Sequence, residues 1–346
     1  MSRQCIKSLT RQELVAALTE MGEKPFRAQQ LFTWLYKKDA ASFAEMTDIA
    51  KDLRERLEER FFILRFPVLD VQESADGTRK FLFELPDGQR IESVYIPEEG
   101  RVTLCISSQV GCRWGCRFCR TGTLGLTRNL TPGEIVEQYN AAQRLLPARR
   151  ISNVVLMGMG EPLDNLDHVV AAVKIFYDDH GNNLSPRKLT LSTVGLVPQM
   201  LELGRRVDVS LAVSLHAADD ETRSRLVPAN RKYPLKELID ACRCFPVPHR
   251  KRITFEYSLV AGVNDSDEDA HRLARLVGDL RPKINLIAAN PFSGSECAPP
   301  NEERVRRFQQ ILLDHQLTVI VRKPRGQDIL AACGQLAARE TEKSTD

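Results

Sequence analysis

The chain has 346 residues, of which 42 % are hydrophobic and 27 % charged, and its formal net charge at pH 7 is +3. This composition is typical of a globular protein with one large domain and a smaller addition, and it excludes a disordered chain. No apolar run approaches the roughly 18 residues of a membrane span, and the start MSRQCIKSLT lacks a signal-peptide core. We therefore expect a cytoplasmic protein without a membrane contact, whose nine cysteines are ligands, catalytic thiols or core residues rather than a disulfide framework.

The first 97 residues predict two small units that precede the main domain. Residues 1–62 have helical periodicity, and Thr10 and Glu13 fit a capping box, so we expect an accessory helical module that binds RNA. Residues 63–97 change to a period of two around Pro86-Asp87-Gly88, which predicts a β-hairpin extension. Glu92 lies in its return strand, a position where a carboxylate most often faces solvent.

From residue 98 to residue 338 strands alternate with helices, which predicts parallel strands joined by crossover helices. The strands are expected at 101–108, 151–157, 188–193, 208–215, 252–260, 283–289 and 317–322. The helices are expected at 131–146, 165–178, 196–203, 235–245, 266–279 and 301–314. Six such units, without a Gly-x-Gly-x-x-Gly at the first helix, favour an α/β fold of the incomplete (β/α)6 barrel type over a Rossmann sheet. A C-terminal extension completes this domain, and residues 339–346 read as a flexible tail.

Three cysteines follow the first strand of this domain with the spacing Cys112-x-x-x-Cys116-x-x-Cys119. Zinc sites and ferredoxin clusters usually have four protein ligands. Three cysteines can instead hold a [4Fe–4S] cluster with one iron open to a substrate. A zinc site completed by a distant His or Cys, or cysteines without a ligand, would give the same spacing.

Polar residues gather where the predicted strands end, which in barrels of this kind is the location of the active site. Each one alone has a structural explanation, such as a helix N-cap, a satisfied loop histidine or a turn before proline. Together they predict a polar pocket that faces the three cysteines and suits a ligand with amine, carboxylate, ribose and adenine groups. The pocket residues are Gly160, Glu161, Ser192, Ser214, Leu215, His216 and Asn290. Two further cysteines, Cys333 among small residues and Cys105 on the first strand, are either core residues or accessible thiols.

Basic residues occur in short clusters, which can bind a phosphate backbone or simply be solvated. The clusters are Arg149-Arg150, Arg187-Lys188, Arg205-Arg206, Arg231-Lys232, His249-Arg250-Lys251-Arg252, Arg304/Arg306/Arg307 and Arg322-Lys323-Arg325.

Several longer strings make the chain resemble a known family. Cys-x-x-x-Cys-x-x-Cys followed by GMGEP is similar to the radical S-adenosylmethionine superfamily. The strings TLCISSQVGC, GMGEPLDNL, SLHA, KINLIAANPF and VRKPRGQDILAACGQL closely resemble the RlmN-type ribosomal and transfer RNA adenine-C2 methyltransferases, over nearly the whole chain. The resemblance implies that Cys112, Cys116 and Cys119 bind a [4Fe–4S] cluster and that the pocket residues bind S-adenosylmethionine.

The resemblance also implies a mechanism and its partners. Cys333 would receive a methyl group, a second S-adenosylmethionine would be cleaved to a 5′-deoxyadenosyl radical, and the resulting methylene radical would add to adenine C2. Cys105 would resolve the adduct and leave a transient Cys105–Cys333 disulfide, and Glu92 would be a proton acceptor. The implied substrates are adenines of 23S ribosomal RNA, at the peptidyl-transferase centre, and of tRNA anticodon loops. A flavodoxin-like electron donor and a thiol reductant would assist a monomer.

Two alternatives stay open at this point. Cfr-type enzymes methylate C8 of the same adenine and share most of these strings. A non-catalytic RNA-binding protein with a structural metal site would also have clustered cysteines and basic patches.

Overall fold

The structure of the protein is a computed structural model that describes residues 3–146, 149–247 and 252–338. The predicted tail and part of the His249–Arg252 cluster lie outside these residues. Within the described ranges no helix is both long enough and apolar enough to cross a membrane.

The strands and helices follow in chain order. The strands are β1 (Gln4–Cys5), β2 (Phe61–Phe62), β3 (Val68–Glu73), β4 (Arg79–Glu84), β5 (Arg90–Glu98), β6 (Arg101–Ile106), β7 (Gln109–Cys112), β8 (Gly125–Asn129), β9 (Asn153–Leu156), β10 (Leu189–Thr193), β11 (Ser210–Ser214), β12 (Thr254–Leu259), β13 (Lys283–Ala288) and β14 (Thr318–Arg322). The α-helices are α1 (Arg11–Glu20), α2 (Phe26–Phe32), α3 (Lys51–Arg60), α4 (Pro132–Leu145), α5 (Leu166–Tyr177), α6 (Val197–Arg206), α7 (Asp220–Leu226), α8 (Leu235–Cys244), α9 (Asp267–Val277) and α10 (Glu302–Asp314).

The N-terminal module consists of α1–α3 and is fixed to the main domain. The predicted capping box at the start of α1 is confirmed, because Thr10 and Glu13 exchange both hydrogen bonds. Lys7 reaches α4 and pairs with Glu137 at 2.6 Å, with both side chains fully buried. Loss of Glu137 would leave the Lys7 ammonium buried without a counter-ion, so this contact holds the module in one position.

Ten strands of the described chain form one sheet, in the order β14-β13-β12-β11-β10-β9-β6-β5-β4-β3. The strands from β6 through β9 to β14 are parallel, and helices on one side connect them, as the barrel prediction requires. Parallel strands all end at the same edge, so the segments that follow β6, β9, β10, β11 and β13 converge there.

Residues 63–97 contain the predicted β-hairpin, formed by β4 and β5, and the structure joins it to the main sheet. These residues form three antiparallel strands, and β5 pairs with β6, with Val94 opposite Cys105. The reason is the short turn after β5, where Gly100 adopts φ +73° and lets the chain return directly as β6. Glu92 is therefore part of the main sheet.

Two elements were missed. The predicted first strand ends at Ile106, and a separate hairpin of β7 and β8 carries the cysteine loop. Helix α7 is short, and its sequence DETRSRL lacks the apolar stripe on which helix prediction depends.

Candidate active site at the strand ends

A cavity opens at the carboxyl ends of the parallel strands, with about 880 Å³ of empty space including its mouth. Nine of the thirteen residues predicted for the site line it: Cys112, Cys116, Cys119, Gly160, Glu161, Ser192, Ser214, His216 and Cys333. Cys105, Glu92, Leu215 and Asn290 are not among the lining residues.

The β7–β8 hairpin positions the cysteine loop. Gly111 has φ +76°, and a Cβ atom there would lie 1.9 Å from the Gly125 carbonyl oxygen, so the hairpin needs glycine at this position. Burial raises the pKa of the Cys112 thiol to about 12 and also raises the pKa of Cys116 and of Cys119. The unliganded thiols are therefore protonated at neutral pH, and binding of iron would release protons.

The three cysteines line one wall of the cavity without meeting at one point. Among the described residues, no three His, Cys, Asp or Glu side chains converge on a single metal-ion position. In a [4Fe–4S] cube each cysteine ligates its own iron, so its ligands have no need to converge on one point.

The GMGEP segment after β9 forms the floor of the cavity. Gly160 has φ +102°, and a Cβ atom there would lie 2.6 Å from Gln109 Cβ, which places this backbone directly against the cysteine hairpin. Glu161 is buried and accepts hydrogen bonds from the backbone N–H groups of Val194 at 2.8 Å and Leu163 at 3.0 Å. Burial raises the pKa of Glu161 to about 7, because those two bonds offset the loss of solvation only in part.

His216 directs an unused hydrogen-bond donor into the cavity. Its Nδ1 atom accepts from the Ser258 N–H at 2.9 Å, so in the neutral ring the proton is on Nε2. Nε2 is buried and has no partner among the described residues. Burial lowers the pKa of His216 to about 3, so the ring is neutral at pH 7. A buried unsatisfied donor at the wall of a cavity suits a ligand with an acceptor atom, which favours a binding role over a satisfied loop histidine.

Cys333 lies in a tight turn of the C-terminal segment, defined here as residues 323–338. Its side chain is exposed at the cavity, which contradicts the alternative that it is a small core residue. Gly334 packs on the cysteine loop and accepts a hydrogen bond from the Arg120 N–H at 2.7 Å, while Asn290 Nδ2 donates to the Cys333 carbonyl at 3.2 Å. Surrounding protein and the Glu256 carboxylate raise the pKa of the Cys333 thiol.

Cys105 and Leu215 lie next to the cavity rather than on its surface. Cys105 is buried on β6, and burial, with the charge of Cys333 as the second cause, raises the pKa of its thiol. Both cysteines are free thiols. Leu215 contributes its backbone, since its N–H donates to the Glu256 carbonyl oxygen at 3.0 Å.

Glu92 was expected to face solvent, and that expectation was wrong: only 2 % of the residue is exposed. Its Oε1 atom pairs with Lys80 Nζ at 3.2 Å. Its Oε2 atom accepts from the Ala337 and Ala338 N–H groups at 2.7 and 3.0 Å. The side chain is buried because the C-terminal segment covers the face of β5 on which it lies. Glu92 thus anchors the C-terminal segment just after Cys333.

Sequence reasoning missed two residues at this site. Glu256 lines the cavity and accepts a hydrogen bond from Asn285 Nδ2 at 2.8 Å. A carboxylate inside the apolar run ITFEYSLV was the available signal. Arg223 on α7 lies behind the cavity and is completely buried. Its sequence context resembles an ordinary solvated helix.

The basic clusters differ in whether their charges are paired with carboxylates or exposed to solvent. Arg304 and Arg307 both pair with Asp267, so part of that cluster is neutralised within the fold. Arg322 and Lys323 are exposed at the start of the C-terminal segment and are available to a phosphate backbone.

Similarity to known proteins identifies first the class and then the family of this chain. Residues 106–274 match the Radical SAM superfamily, and residues 6–63 match the N-terminal domain of the ribosomal RNA large subunit methyltransferases. A radical SAM methyltransferase from Sphaerobacter thermophilus has the same fold, with a TM-score of 0.91 and 45 % identity, over 97 % of this chain and 100 % of that one. The fold and site are therefore those of a radical SAM enzyme.

Two relatives identify the family within the radical SAM enzymes. The dual-specificity RNA methyltransferase RlmN of Geotalea uraniireducens is 53 % identical over 96 % of each chain. The protein of the same name in Geobacter sulfurreducens is 54 % identical over 96 % of this chain and 92 % of its own. The chain belongs to the RlmN family and is a radical SAM RNA methyltransferase.

The radical SAM family implies a [4Fe–4S] cluster and S-adenosylmethionine, and the cavity fits both. Three thiols on one wall match the donor set of a cluster with one open iron. The unsatisfied Nε2–H of His216 and the buried carboxyl of Glu161 match a ligand with acceptor and amine groups.

Proposed function

We propose that this enzyme methylates carbon C2 of adenine in 23S ribosomal RNA, at the peptidyl-transferase centre, and in the anticodon loop of transfer RNAs. The observation that carries the proposal is the position of Cys333, whose exposed thiol lines the same cavity as Cys112, Cys116 and Cys119. The dual-specificity relatives support the pair of RNA substrates.

The substrate explains why both a cluster and a separate thiol are needed. Adenine C2 is an electron-poor aromatic carbon, and it cannot displace the methyl group of a sulfonium ion directly. When bound, the cluster and S-adenosylmethionine supply a radical that removes a hydrogen atom from an unactivated methyl group. Cys112, Cys116 and Cys119 would hold the cluster. The S-adenosylmethionine ligands would be Gly160, Glu161, Ser192, Ser214, Leu215, His216 and Asn290.

Cys333 is the proposed methyl acceptor. Its sulfur would displace the methyl group of one S-adenosylmethionine, and the thiol proton would leave to solvent or to a nearby base. The raised pKa of Cys333 means that this proton must be removed as the attack occurs. A second S-adenosylmethionine would serve hydrogen abstraction, which gives two per turnover.

Cys105 is the proposed resolving thiol. Before this step the adduct would lose the C2 proton and one electron, for which the cluster would be the acceptor. The Cys105 sulfur would then give up its proton and attack the Cys333 sulfur, forming an S–S bond and breaking the bond from Cys333 to the carbon now attached to RNA. That carbon would leave with the electron pair of the broken bond and take up a proton, which makes it the methyl group of the product. An external thiol reductant would then return both cysteines to the free state in which the structure has them.

Glu92 is proposed to accept the proton lost from C2. Both carboxylate oxygens are occupied, by Lys80 on one side and by the Ala337 and Ala338 N–H groups on the other. Oε1 has only the Lys80 contact and so keeps a lone pair for a proton, but Glu92 does not line the cavity. Proton transfer therefore requires a movement of the C-terminal segment that brings the base within reach of Glu92.

The regiochemistry is supported by the relatives. Proteins about half identical over nearly the whole chain have the RlmN name, which favours C2 over the C8 product of the Cfr type. Mass spectrometry of nucleosides from reacted RNA separates the two products.

The proposal is tested by anaerobic turnover with S-adenosylmethionine that carries a fully deuterated methyl group. C2-methyladenosine that retains two methyl deuteriums, and that is absent with Cys333→Ala, is the expected result. Cys244→Ala is the matched control, because Cys244 is an exposed cysteine on α8. A product with three deuteriums, or an active Cys333→Ala variant, would contradict transfer through Cys333.

A further inference from the structure

Arg223 is a fully buried arginine that joins the ends of two strands behind the cavity. Its Nε atom donates to the Leu215 carbonyl oxygen at 3.0 Å, and its Nη2 atom donates to the carbonyl oxygens of Val194 at 2.8 Å and Ser214 at 3.1 Å. Its Nη1 atom donates to Asn230 Oδ1 at 2.8 Å. The guanidinium thus contacts the segments after β10 and β11 that form one side of the cavity.

None of these partners carries a negative charge. In the part of the chain that the structure describes, Arg223 forms no ion pair with a carboxylate. Burying a cation without a counter-ion costs several kcal/mol even when its hydrogen bonds are made. Burial lowers the pKa of Arg223 to about 10, which still leaves the group charged at pH 7.

The cysteine loop packs against α7 and would become anionic when it holds a cluster. Cys116 packs with Leu226 and Val227 at the end of α7, and the Arg117 N–H donates to the Leu226 carbonyl oxygen at 3.0 Å. Cys116 first and Asp220 second oppose the lowering of the Arg223 pKa, and Asp220 is linked to the guanidinium only through Asn230, whose Nδ2 atom donates to Asp220 Oδ1 at 2.9 Å. Helix α7 therefore places a buried positive charge next to a proposed ligand of the cluster.

We infer that Arg223 is the buried counter-charge of the cysteine-bound cluster and also the brace that fixes the adjoining cavity wall. The inference rests on the proposed cluster at Cys112, Cys116 and Cys119. Three thiolates make that centre anionic, and one-electron reduction by an external donor adds one further negative charge. A cation in a poorly solvated position stabilises the reduced form more than the oxidised form, so Arg223 raises the reduction potential.

The bracing role has its own geometry. The Val194 peptide is held from both sides, since its N–H donates to Glu161 Oε2 at 2.8 Å and its carbonyl accepts from Arg223 at 2.8 Å. The carbonyls of Ser214 and Leu215 are held by the same guanidinium, and His216 follows them directly. Loss of the Arg223 guanidinium would leave the carbonyls of Val194, Ser214 and Leu215 without this donor. The proposed ligands of S-adenosylmethionine would then be displaced.

Two substitutions separate the charge from the brace. Arg223→Lys keeps the positive charge but cannot reach all four acceptors, and Arg223→Met removes both the charge and the hydrogen bonds. Arg225→Met is the matched control, because Arg225 lies on the same helix with its side chain exposed. The holoenzymes are compared by redox titration monitored by electron paramagnetic resonance, and by affinity for S-adenosylmethionine without RNA.

For Arg223→Met we expect at least a tenfold lower ratio of reduced to oxidised cluster at a fixed potential, about 59 mV for one electron. Arg223→Lys should stay within threefold of the wild-type ratio while it binds S-adenosylmethionine at least fivefold more weakly. Arg225→Met should change neither quantity.

An Arg223→Met holoenzyme with the wild-type reduction potential would contradict the counter-charge role of Arg223. The same holds if Arg223→Lys shifts the reduction potential as much as Arg223→Met does. If the Met variant does not retain its cluster, Arg223→Gln replaces it, since glutamine is neutral and still donates to a carbonyl. A wild-type protein that forms no iron–sulfur chromophore under anaerobic reconstitution would refute the proposed function itself, and the two failures are thus distinguishable.

Discussion

The buried pair of Glu92 and Lys80 allows a sharp test of how the C-terminal segment is held. Their side chains are 2 % and 8 % exposed, and the carboxylate also receives two backbone N–H groups of that segment. Glu92→Gln removes the charge with little change of volume and leaves the Lys80 ammonium buried without a partner. Breaking a buried pair in this way costs about 3–5 kcal/mol of the free energy of unfolding.

The double variant Lys80→Met/Glu92→Gln should recover most of that loss, because neither charge is then left alone. Urea unfolding of the apoprotein, followed by circular dichroism, measures the free energy of unfolding of the four proteins in this double-mutant cycle. These are the wild type, Lys80→Met, Glu92→Gln and the double variant. The exposed pair Lys51–Glu55 on α3, 3.8 Å apart, is the matched control. Its removal should cost less than about 0.5 kcal/mol.

The reasoning fails if Glu92→Gln loses less than about 1 kcal/mol, or if the double variant is as unstable as Glu92→Gln. The first result would show that the pair does not contribute to the native fold. The second would assign the loss to the N–H bonds with the C-terminal segment alone.

Three further predictions concern acid stability, loop position and RNA binding. The pKa of His216 is about 3 in the folded protein and 6.5 in the unfolded chain. The free energy of unfolding should therefore be highest above pH 6.5 and fall as the pH decreases toward 3. His216→Asn should flatten this dependence in urea titrations from pH 7 to pH 4. Asp328→Ala removes the hydrogen bonds that the carboxylate accepts from Ser74 Oγ at 2.6 Å and from the Ala75 N–H at 3.3 Å, which tether the C-terminal segment, and it should lower turnover several-fold at unchanged iron content. Lys37→Gln should reduce the slope of log affinity for RNA against log salt by about one, whereas Lys236→Gln on α8 should leave it unchanged.

The order of elements was predictable because hydrophobic periodicity depends on local sequence. The predicted strand at 283–289 is β13, Lys283–Ala288, and the predicted helix at 301–314 is α10, Glu302–Asp314. The pairing of β5 with β6 was not predictable in the same way. It depends on which strand edge is free after the Gly100 turn, and periodicity carries no information about edges.

The residues of the candidate site also differ in how far they could be predicted from local sequence. The spacing of Cys112, Cys116 and Cys119 could be read directly, since close ligands on one loop must be close in sequence. Arg223 could not be recognised, because three of its four partners are backbone carbonyls at the ends of β10 and β11. Every residue has a backbone carbonyl, so such a partner cannot be identified from the sequence. Charged side chains that bind the main chain are therefore the class of functional residue that sequence reasoning misses here.

The placement of Cys333 follows from long-range contacts of the C-terminal segment with several parts of the chain. Asp328 binds the β3–β4 turn at Ser74, Gly334 and Leu336 accept from the cysteine loop, and Ala337 donates to Glu92. Most of these bonds use backbone atoms of the segment, so substituting its side chains would leave them intact. The Cys333 thiol is thus held at the cavity from both ends while its own side chain stays unconstrained. In the proposed mechanism the Cys333 sulfur meets a methyl donor, then an RNA base and finally Cys105, and a fixed backbone with a free side chain would allow all three encounters.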